Sequence, residues 1–125
     1  VFYAGENTGE VLGKLEGYDL TGLAIKAFDK WTSVYSSAPR VPSMILRDIA
    51  RIAGVHLYVD SNDVIYANKS LLSLTVNEGG ERVIMLPQKS NVYDLFEEKL
   101  VETDVDKFSI DMQSNSTKLW RIEPK

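Results

Sequence analysis

A single amphipathic helix, closed by a glycine, is the feature that most constrains what this chain can fold into. Residues 43–53 carry apolar side chains at helical spacing on one face and charged side chains on the other. Pro42 suits the first turn of this helix, and Gly54 stands where a left-handed C-terminal cap is expected. No second helical pattern of comparable quality follows, so the chain predicts an α+β fold. The apolar face consists of Ile45, Leu46, Ile49, Ile52 and Ala53, and the charged face of Arg47, Asp48 and Arg51.

Strand patterns flank this helix on both sides. Apolar residues alternate along 23–28, and β-branched and aromatic residues follow at 31–35, which predicts two strands joined by a turn at Asp29-Lys30. A further strand is predicted at 55–59, directly after the helix. Strand, loop, helix and strand form a βαβ unit, which implies a parallel pair of strands and a right-handed crossover. Residues 1–60 therefore predict a partial α/β layer.

The pattern changes near Asp60. Short apolar runs separated by turn residues fill the remainder of the chain, and the break Asn77-Glu78-Gly79-Gly80-Glu81 is a hairpin signal. Several short strands at this spacing predict a small antiparallel β-sandwich over residues 61–125. The predicted strands of this part are 64–67, 71–76, 82–86, 92–96, 100–101, 108–112 and 119–122.

Composition excludes several functional classes. The net charge of −4, without a basic run, argues against nucleic-acid binding. The absence of cysteine excludes disulfides, thiolate nucleophiles and cysteine-ligated metals. No apolar run approaches the roughly 18 residues of a membrane span. These observations predict no cofactor and leave cytoplasmic and secreted bacterial locations both open.

The start of the chain suggests that it belongs to something longer. It begins at Val1, not at methionine, and it lacks a signal-peptide pattern. The apolar run 1–4, ended by Gly5, suits the end of a strand. We therefore expect this chain to be a segment of a larger protein.

The residues that bear catalytic chemistry form no complete constellation. His56 is the only histidine, and its position within a predicted strand favours a structural hydrogen bond at the end of a sheet. Ser36 and Ser37 follow a predicted strand, but no G-x-S-x-G elbow surrounds them, so a small serine hydrolase using one of them with His56 is the least favoured hypothesis. The acidic residues lie in loops and turns, and nothing pairs two of them across a sugar ring.

Two further groups of residues are candidates for binding. Asp60, Asn62 and Asp63 carry oxygens that suit calcium, but the remainder of an EF-hand loop is missing and turn chemistry explains them more simply. We therefore predict no metal site. Among the aromatic residues, Trp31 and Trp120 are the candidates for stacking on a sugar, and Trp120 is expected to be exposed because it lies near the C-terminus.

Two sets of motifs resemble a known family. The stretches 31–42, 46–50 and 53–58 resemble the end of the glutamine-amidotransferase-like domain, of the beta-galactosidase trimerisation type, that follows the catalytic barrel in some glycoside hydrolases. The small C-terminal β-sandwich of those proteins is similar to the second half of this chain. The motifs of that half are Asp63-Val64-Ile65-Tyr66-Ala67-Asn68, Leu86-Pro87, Val92-Tyr93-Asp94-Leu95 and Ser116-Thr117-Lys118-Leu119.

The resemblance implies a role without catalysis. The family's catalytic carboxylates lie on an upstream barrel and the amidotransferase nucleophile is a cysteine, so no catalytic residue carries over. We therefore expect a non-catalytic accessory region of a glycoside hydrolase that supports packing or oligomerisation. The alternatives are a carbohydrate-binding module and, last, the small serine hydrolase. The expected partners are the upstream catalytic domain of the same protein, a second copy of this chain in a homodimer, and a carbohydrate, but neither nucleic acid nor a membrane.

Overall fold

A computed structural model describes Ala4 and residues 9–125 of the chain. Apart from Ala4, which forms an antiparallel bridge with Thr21, the strand end predicted at 1–4 lies outside the described residues. The chain divides into two compact units, Val1–Ile49 and Ala50–Lys125. The fold is mostly β, with one short helix and two antiparallel sheets. The assignment of two domains with a boundary near Asp60 stays a prediction.

The first unit contains a three-stranded antiparallel sheet whose strands lie side by side in chain order. The predicted hairpin is confirmed, because the backbone N–H of Phe28 donates to the carbonyl of Trp31 at 2.8 Å across the Asp29-Lys30 turn. Ile25 lies opposite Val34 in the pairing of the two hairpin strands. The strands are β1 (Glu10–Lys14), β2 (Thr21–Ala27) and β3 (Thr32–Ser36).

The predicted helix forms as α1 (Ser43–Ile52) and ends where expected. Gly54 has a φ of 72°, and its N–H donates to Arg51 while the N–H of Val55 donates to the carbonyl of Ala50. These two bonds form a Schellman cap, in which the glycine adopts the left-handed conformation without a Cβ clash. The expected buried face is wrong in part, since Leu46 is 52 % exposed and no residue of α1 is fully buried.

The structure does not confirm the partial α/β layer. Residues 55–63 contain no strand, and among the strands that the structure describes β3 pairs only with β2, in the antiparallel sense. The reason is visible in the second unit, where the carbonyl of Tyr58 accepts the N–H of Met85 at 2.7 Å and Val59 is buried in the core. These tertiary contacts hold the segment against the rest of the second unit and outweigh the local strand propensity of its residues.

The second unit contains a five-stranded antiparallel sheet, formed by β4 (Val64–Ala67), β5 (Leu71–Val76), β6 (Gly80–Asp94), β7 (Lys99–Met112) and β8 (Ser116–Pro124). Strands β6 and β7 are longer than predicted. The predicted strands 82–86 and 92–96 both belong to β6, and the predicted strands 100–101 and 108–112 both belong to β7. Opposite one residue of β7, four residues of β6 (86–89) form a bulge around Pro87, which has no N–H to donate. The order of the strands in this sheet is β4-β5-β8-β6-β7.

The main core lies on one face of this sheet and surrounds Trp120. The Trp120 side chain is 0 % exposed and meets the ring of Phe108 edge to face, with ring centroids 5.5 Å apart. Ile84 and Val92, on either side of the β6 bulge, enter the same core. The buried side chains of the five strands thus form one core, an arrangement compatible with a small β-sandwich. The other buried members are Val59, Leu72, Leu74, Val76, Leu86, Met112 and Ile122.

Candidate functional site

The β2–β3 hairpin presents an aromatic platform at its tip. Trp31 is 59 % exposed and its ring stacks on that of Phe28, with centroids 4.1 Å apart and planes inclined by 10°. The Nζ atom of Lys26 lies 5.3 Å from the centre of the Phe28 ring. Because the turn brings Phe28 and Trp31 together, the pair offers a flat apolar surface with an amine beside it. Trp31 was predicted from the sequence as a sugar-stacking residue and Phe28 was not, although the two-residue turn between them indicates that their side chains lie close together.

Trp120 lies in the main core and is not the exposed platform that its position near the C-terminus suggested. Its ring has no exposed surface, so a sugar has no face on which to stack. The pairing of β8 with β5 and β6 places Trp120 between Leu72 and Asp94 on the core side of the sheet. Its indole N–H finds no acceptor among the described residues. The expectation that Trp120 is exposed is therefore wrong, and with it the basis for a sugar contact at this residue.

The serine and histidine side chains have structural partners. The hydroxyl of Ser36 donates to the carbonyl of Ala38, and that of Ser37 donates to the carbonyl of Gly22 at 3.1 Å. The Nε2 atom of His56 lies 3.0 Å from the carbonyl oxygen of Met85, and the ring of His56 meets that of Tyr58 edge to face. Hydrogen bonds of this kind orient the turn after β3 and the segment before β4. They give no support to nucleophilic catalysis.

The turn before β4 is organised by an ion pair. Asp63 accepts hydrogen bonds from Nε of Arg82 at 2.6 Å and from the hydroxyl of Ser61 at 2.6 Å. The bond from Arg82 holds the pKa of Asp63 below its ordinary value, although burial opposes this shift. Asp60, in turn, pairs with Arg51 at 2.7 Å. Among the described residues, no group of three or more metal-ligating side chains is placed to hold an ion.

A second charged cluster was not found by sequence analysis. Asp94 is only 2 % exposed, and one of its carboxylate oxygens accepts the N–H groups of Phe96 and Glu97, both at 2.9 Å. Its other oxygen accepts a bond from Lys118 at 3.0 Å, and Lys118 also pairs with Glu97. The sequence signal was Asp94 at the start of a turn, where a side-chain oxygen commonly caps the N–H groups that follow. This cluster ties β6 to β8.

The first unit leaves much of its apolar surface uncovered. Ala24 is the only hydrophobic residue of this unit that the structure describes as fully buried. Large apolar side chains of this unit are exposed singly, as is ordinary on protein surfaces. The exposed residues, with their exposed fractions, are Val11 (45 %), Leu12 (50 %), Tyr18 (60 %), Phe28 (42 %), Trp31 (59 %), Met44 (64 %) and Leu46 (52 %).

Within the part of the chain that the structure describes, no helix is long and apolar enough to cross a membrane. Neither the protein-family models nor the curated proteins include a match to this sequence.

The fold itself has a solved counterpart. The crystal structure of a beta-galactosidase from Bacillus circulans sp. alkalophilus superposes with a TM-score of 0.58 at 15 % sequence identity. The match covers 92 % of this chain but only 18 % of the beta-galactosidase chain. At this identity the likeness shows the fold alone. The chain thus has the fold of one part of a glycoside hydrolase, and it spans about a fifth of the length of that enzyme.

Proposed function

We propose that this chain is a non-catalytic accessory region of a glycoside hydrolase, which supports packing or oligomerisation of a catalytic domain located elsewhere. The observation that carries the proposal is the likeness to a beta-galactosidase over 92 % of this chain and 18 % of the other. A fold that accounts for so small a share of an enzyme is more simply an accessory part of it than its catalytic centre. In this proposal residues 1–60 correspond to the end of the amidotransferase-like domain and 61–125 to the small C-terminal β-sandwich.

Two features of the chain support an accessory role. The serine, histidine and aspartate side chains that suit catalysis are engaged in local structural contacts. The described part of the first unit, in addition, has a small buried core and seven exposed large hydrophobic side chains, which suits a unit that packs against another domain. In the proposed protein the cover comes from the upstream domain of the same polypeptide. A second copy of this chain, related by a twofold axis, is the cover for the isolated chain.

The sequence that precedes Val1 in the gene tests this proposal. We expect an in-frame stretch long enough for a catalytic barrel, about 250 residues or more, which carries two carboxylates at the carboxyl ends of its strands. A stop codon directly upstream of Val1 would contradict the proposal.

A second candidate function is carbohydrate binding at the stacked Phe28–Trp31 pair. Sugar rings present apolar C–H faces, and an exposed aromatic platform is their usual protein partner. The chain contains two tryptophans, and Trp120 is buried, so changes in tryptophan fluorescence on adding a quencher report mainly on Trp31. Protection of this fluorescence from acrylamide by a soluble galactan, and loss of the protection in Phe28→Ala, which keeps the Trp31 reporter, would support this function. Unchanged quenching would contradict it.

A further inference from the structure

We propose that a cleft in the second unit binds a single hexopyranose ring and favours a ring that carries a carboxylate. The cleft lies between the β4–β5 turn, the bulge of β6 and the end of β8, and it has a volume of about 260 Å³. Pockets that bind drug-sized ligands have volumes of at least about 300 Å³, so this smaller volume suits a ligand of one ring. It is a different place from the Phe28–Trp31 platform. The choice of a sugar rests on the proposed function.

The interior of the cleft is apolar and is lined in part by core residues. Leu72 and Ile122 line it, and both belong to the buried core, with 1 % and 7 % of their surface exposed. The ring of Tyr58, partly buried against that core, lines the cleft beside Pro87 of the bulge. A hexopyranose has one face of C–H groups, and this combination of an aromatic ring and aliphatic side chains matches such a face.

Polar groups from separate elements meet at the rim. The side-chain oxygen of Asn68 accepts the N–H groups of Ser70 and Leu71 at 2.9 and 2.8 Å, so its amide N–H₂ group is held in place and left for another acceptor. The hydroxyl of the buried Ser90 donates to the carbonyl of Gln88, which fixes the bulge that carries the Gln88 side chain. Two amides on fixed backbone can therefore bond to neighbouring hydroxyls of one ring.

The charge of the lining favours an acidic ring. Lys69, in the β4–β5 turn, lines the cleft, and no carboxylate side chain does. Among the described residues, Lys69 forms no ion pair. An exposed ammonium group gains up to about 1 kcal/mol from a carboxylate, which corresponds to an affinity about two- to fivefold tighter. A hexuronate should therefore bind more tightly than the neutral hexose of the same shape.

Titration of the ¹⁵N-labelled chain with D-galactose and with D-galacturonate, followed by two-dimensional NMR, tests this proposal. We expect shifts of the amides of Asn68, Lys69 and Gln88 with a dissociation constant on the order of 1 mM for galactose. Galacturonate should bind about two- to fivefold more tightly. Gln88→Ala should weaken both sugars, whereas Gln113→Ala, which changes an exposed glutamine of the β7–β8 turn, should not.

The lysine provides a second, separate comparison. Lys69→Gln should abolish the preference for galacturonate and retain galactose binding, and Lys107→Gln, on the exposed part of β7, should leave both affinities unchanged. The cleft proposal is overturned if neither sugar shifts these amides, if the shifts centre on Trp31, or if Gln88→Ala leaves them unaltered. These results are independent of the gene sequence before Val1, so the failure of the cleft is distinguishable from the failure of the accessory role.

Discussion

The two tryptophans have opposite environments, and this difference gives a prediction at the scale of single residues. Trp120 is fully buried against Phe108, whereas Trp31 is 59 % exposed on a hairpin. Trp120→Ala should lower the free energy of unfolding by about 3 to 5 kcal/mol, because it leaves a large cavity. Trp31→Ala should cost at most about 0.5 kcal/mol. Urea denaturation of both variants measures the difference, and equal losses would mean that the burial of Trp120 is misassigned.

Asp94 gives a prediction about pH. Burial alone raises its pKa, but the hydrogen bonds from the N–H of Glu97, from Lys118 and from the N–H of Phe96 outweigh burial, so the net pKa lies below its ordinary value. A depressed pKa in the folded state stabilises the protein above the pKa of the unfolded chain, about 3.9 for Asp, and this contribution disappears as the pH falls through the folded value.

Asp94→Asn should therefore reduce the free energy of unfolding at pH 7 by about 1.5 to 3 kcal/mol, since Lys118 loses the charge of its buried partner. The gap between variant and parent should narrow as the pH falls below about 4. Asp111→Asn, at an exposed position of β7, is the matched control and should have little effect. A gap that stays constant from pH 7 to acid would show that the charge of Asp94 does not stabilise the fold.

At the scale of elements, the sequence correctly predicted the end of α1 and the β2–β3 hairpin, which depend on short-range interactions along the chain. Gly54 predicted the end of α1 because only a residue without a Cβ takes a φ of 72° at ease. The pair Asp29-Lys30 predicted the hairpin because a short polar break between two strand patterns is typical of the turn that joins two antiparallel strands. Both features depend on residues close together in the chain.

Features that depend on distant residues were not predictable in this way. Residues 55–59 have the composition of a strand, but the bond between Tyr58 and Met85 joins residues far apart in the sequence and holds the segment in an irregular conformation. The sequence predicted separate strands at 82–86 and 92–96, whereas in the structure both belong to β6, which continues through a bulge around Pro87. Of the aromatic pair, the sequence predicted Trp31 but not Phe28. The cleft near Gln88 was not predicted, because the residues that line the cleft come from separate elements.

The two sheets should also differ in local stability. The strands of the second unit carry nearly all of the buried apolar side chains, whereas β1, β2 and β3 enclose only Ala24 among the described residues. Amide protection follows buried apolar contact, so the amides of β5 and β8 should exchange with solvent far more slowly than those of β2 and β3. Hydrogen exchange followed by mass spectrometry measures this. Equal protection of the two sheets would show that they unfold as one unit.

At the scale of the whole molecule, the uncovered apolar surface predicts self-association of the isolated chain. We expect a dimer formed through the first unit, because a twofold contact is the commonest way to cover such a surface. Leu46→Lys, which places a charge on a residue 52 % exposed on α1, should shift the equilibrium to the monomer. Leu100→Lys, at a residue 49 % exposed in the second unit, should not. Light scattering over a dilution series measures both, and a parent chain that is monomeric at all concentrations would contradict this expectation.

The central claim is that this chain is an accessory part of a glycoside hydrolase and not its catalytic centre. The most direct measurement compares the hydrolysis of a panel of nitrophenyl glycosides by the product of the whole reading frame and by this chain purified alone. We predict turnover of at least one glycoside by the whole product and none by the isolated chain. Turnover by the isolated chain that survives repurification, or a whole product inert towards the entire panel, would contradict the claim.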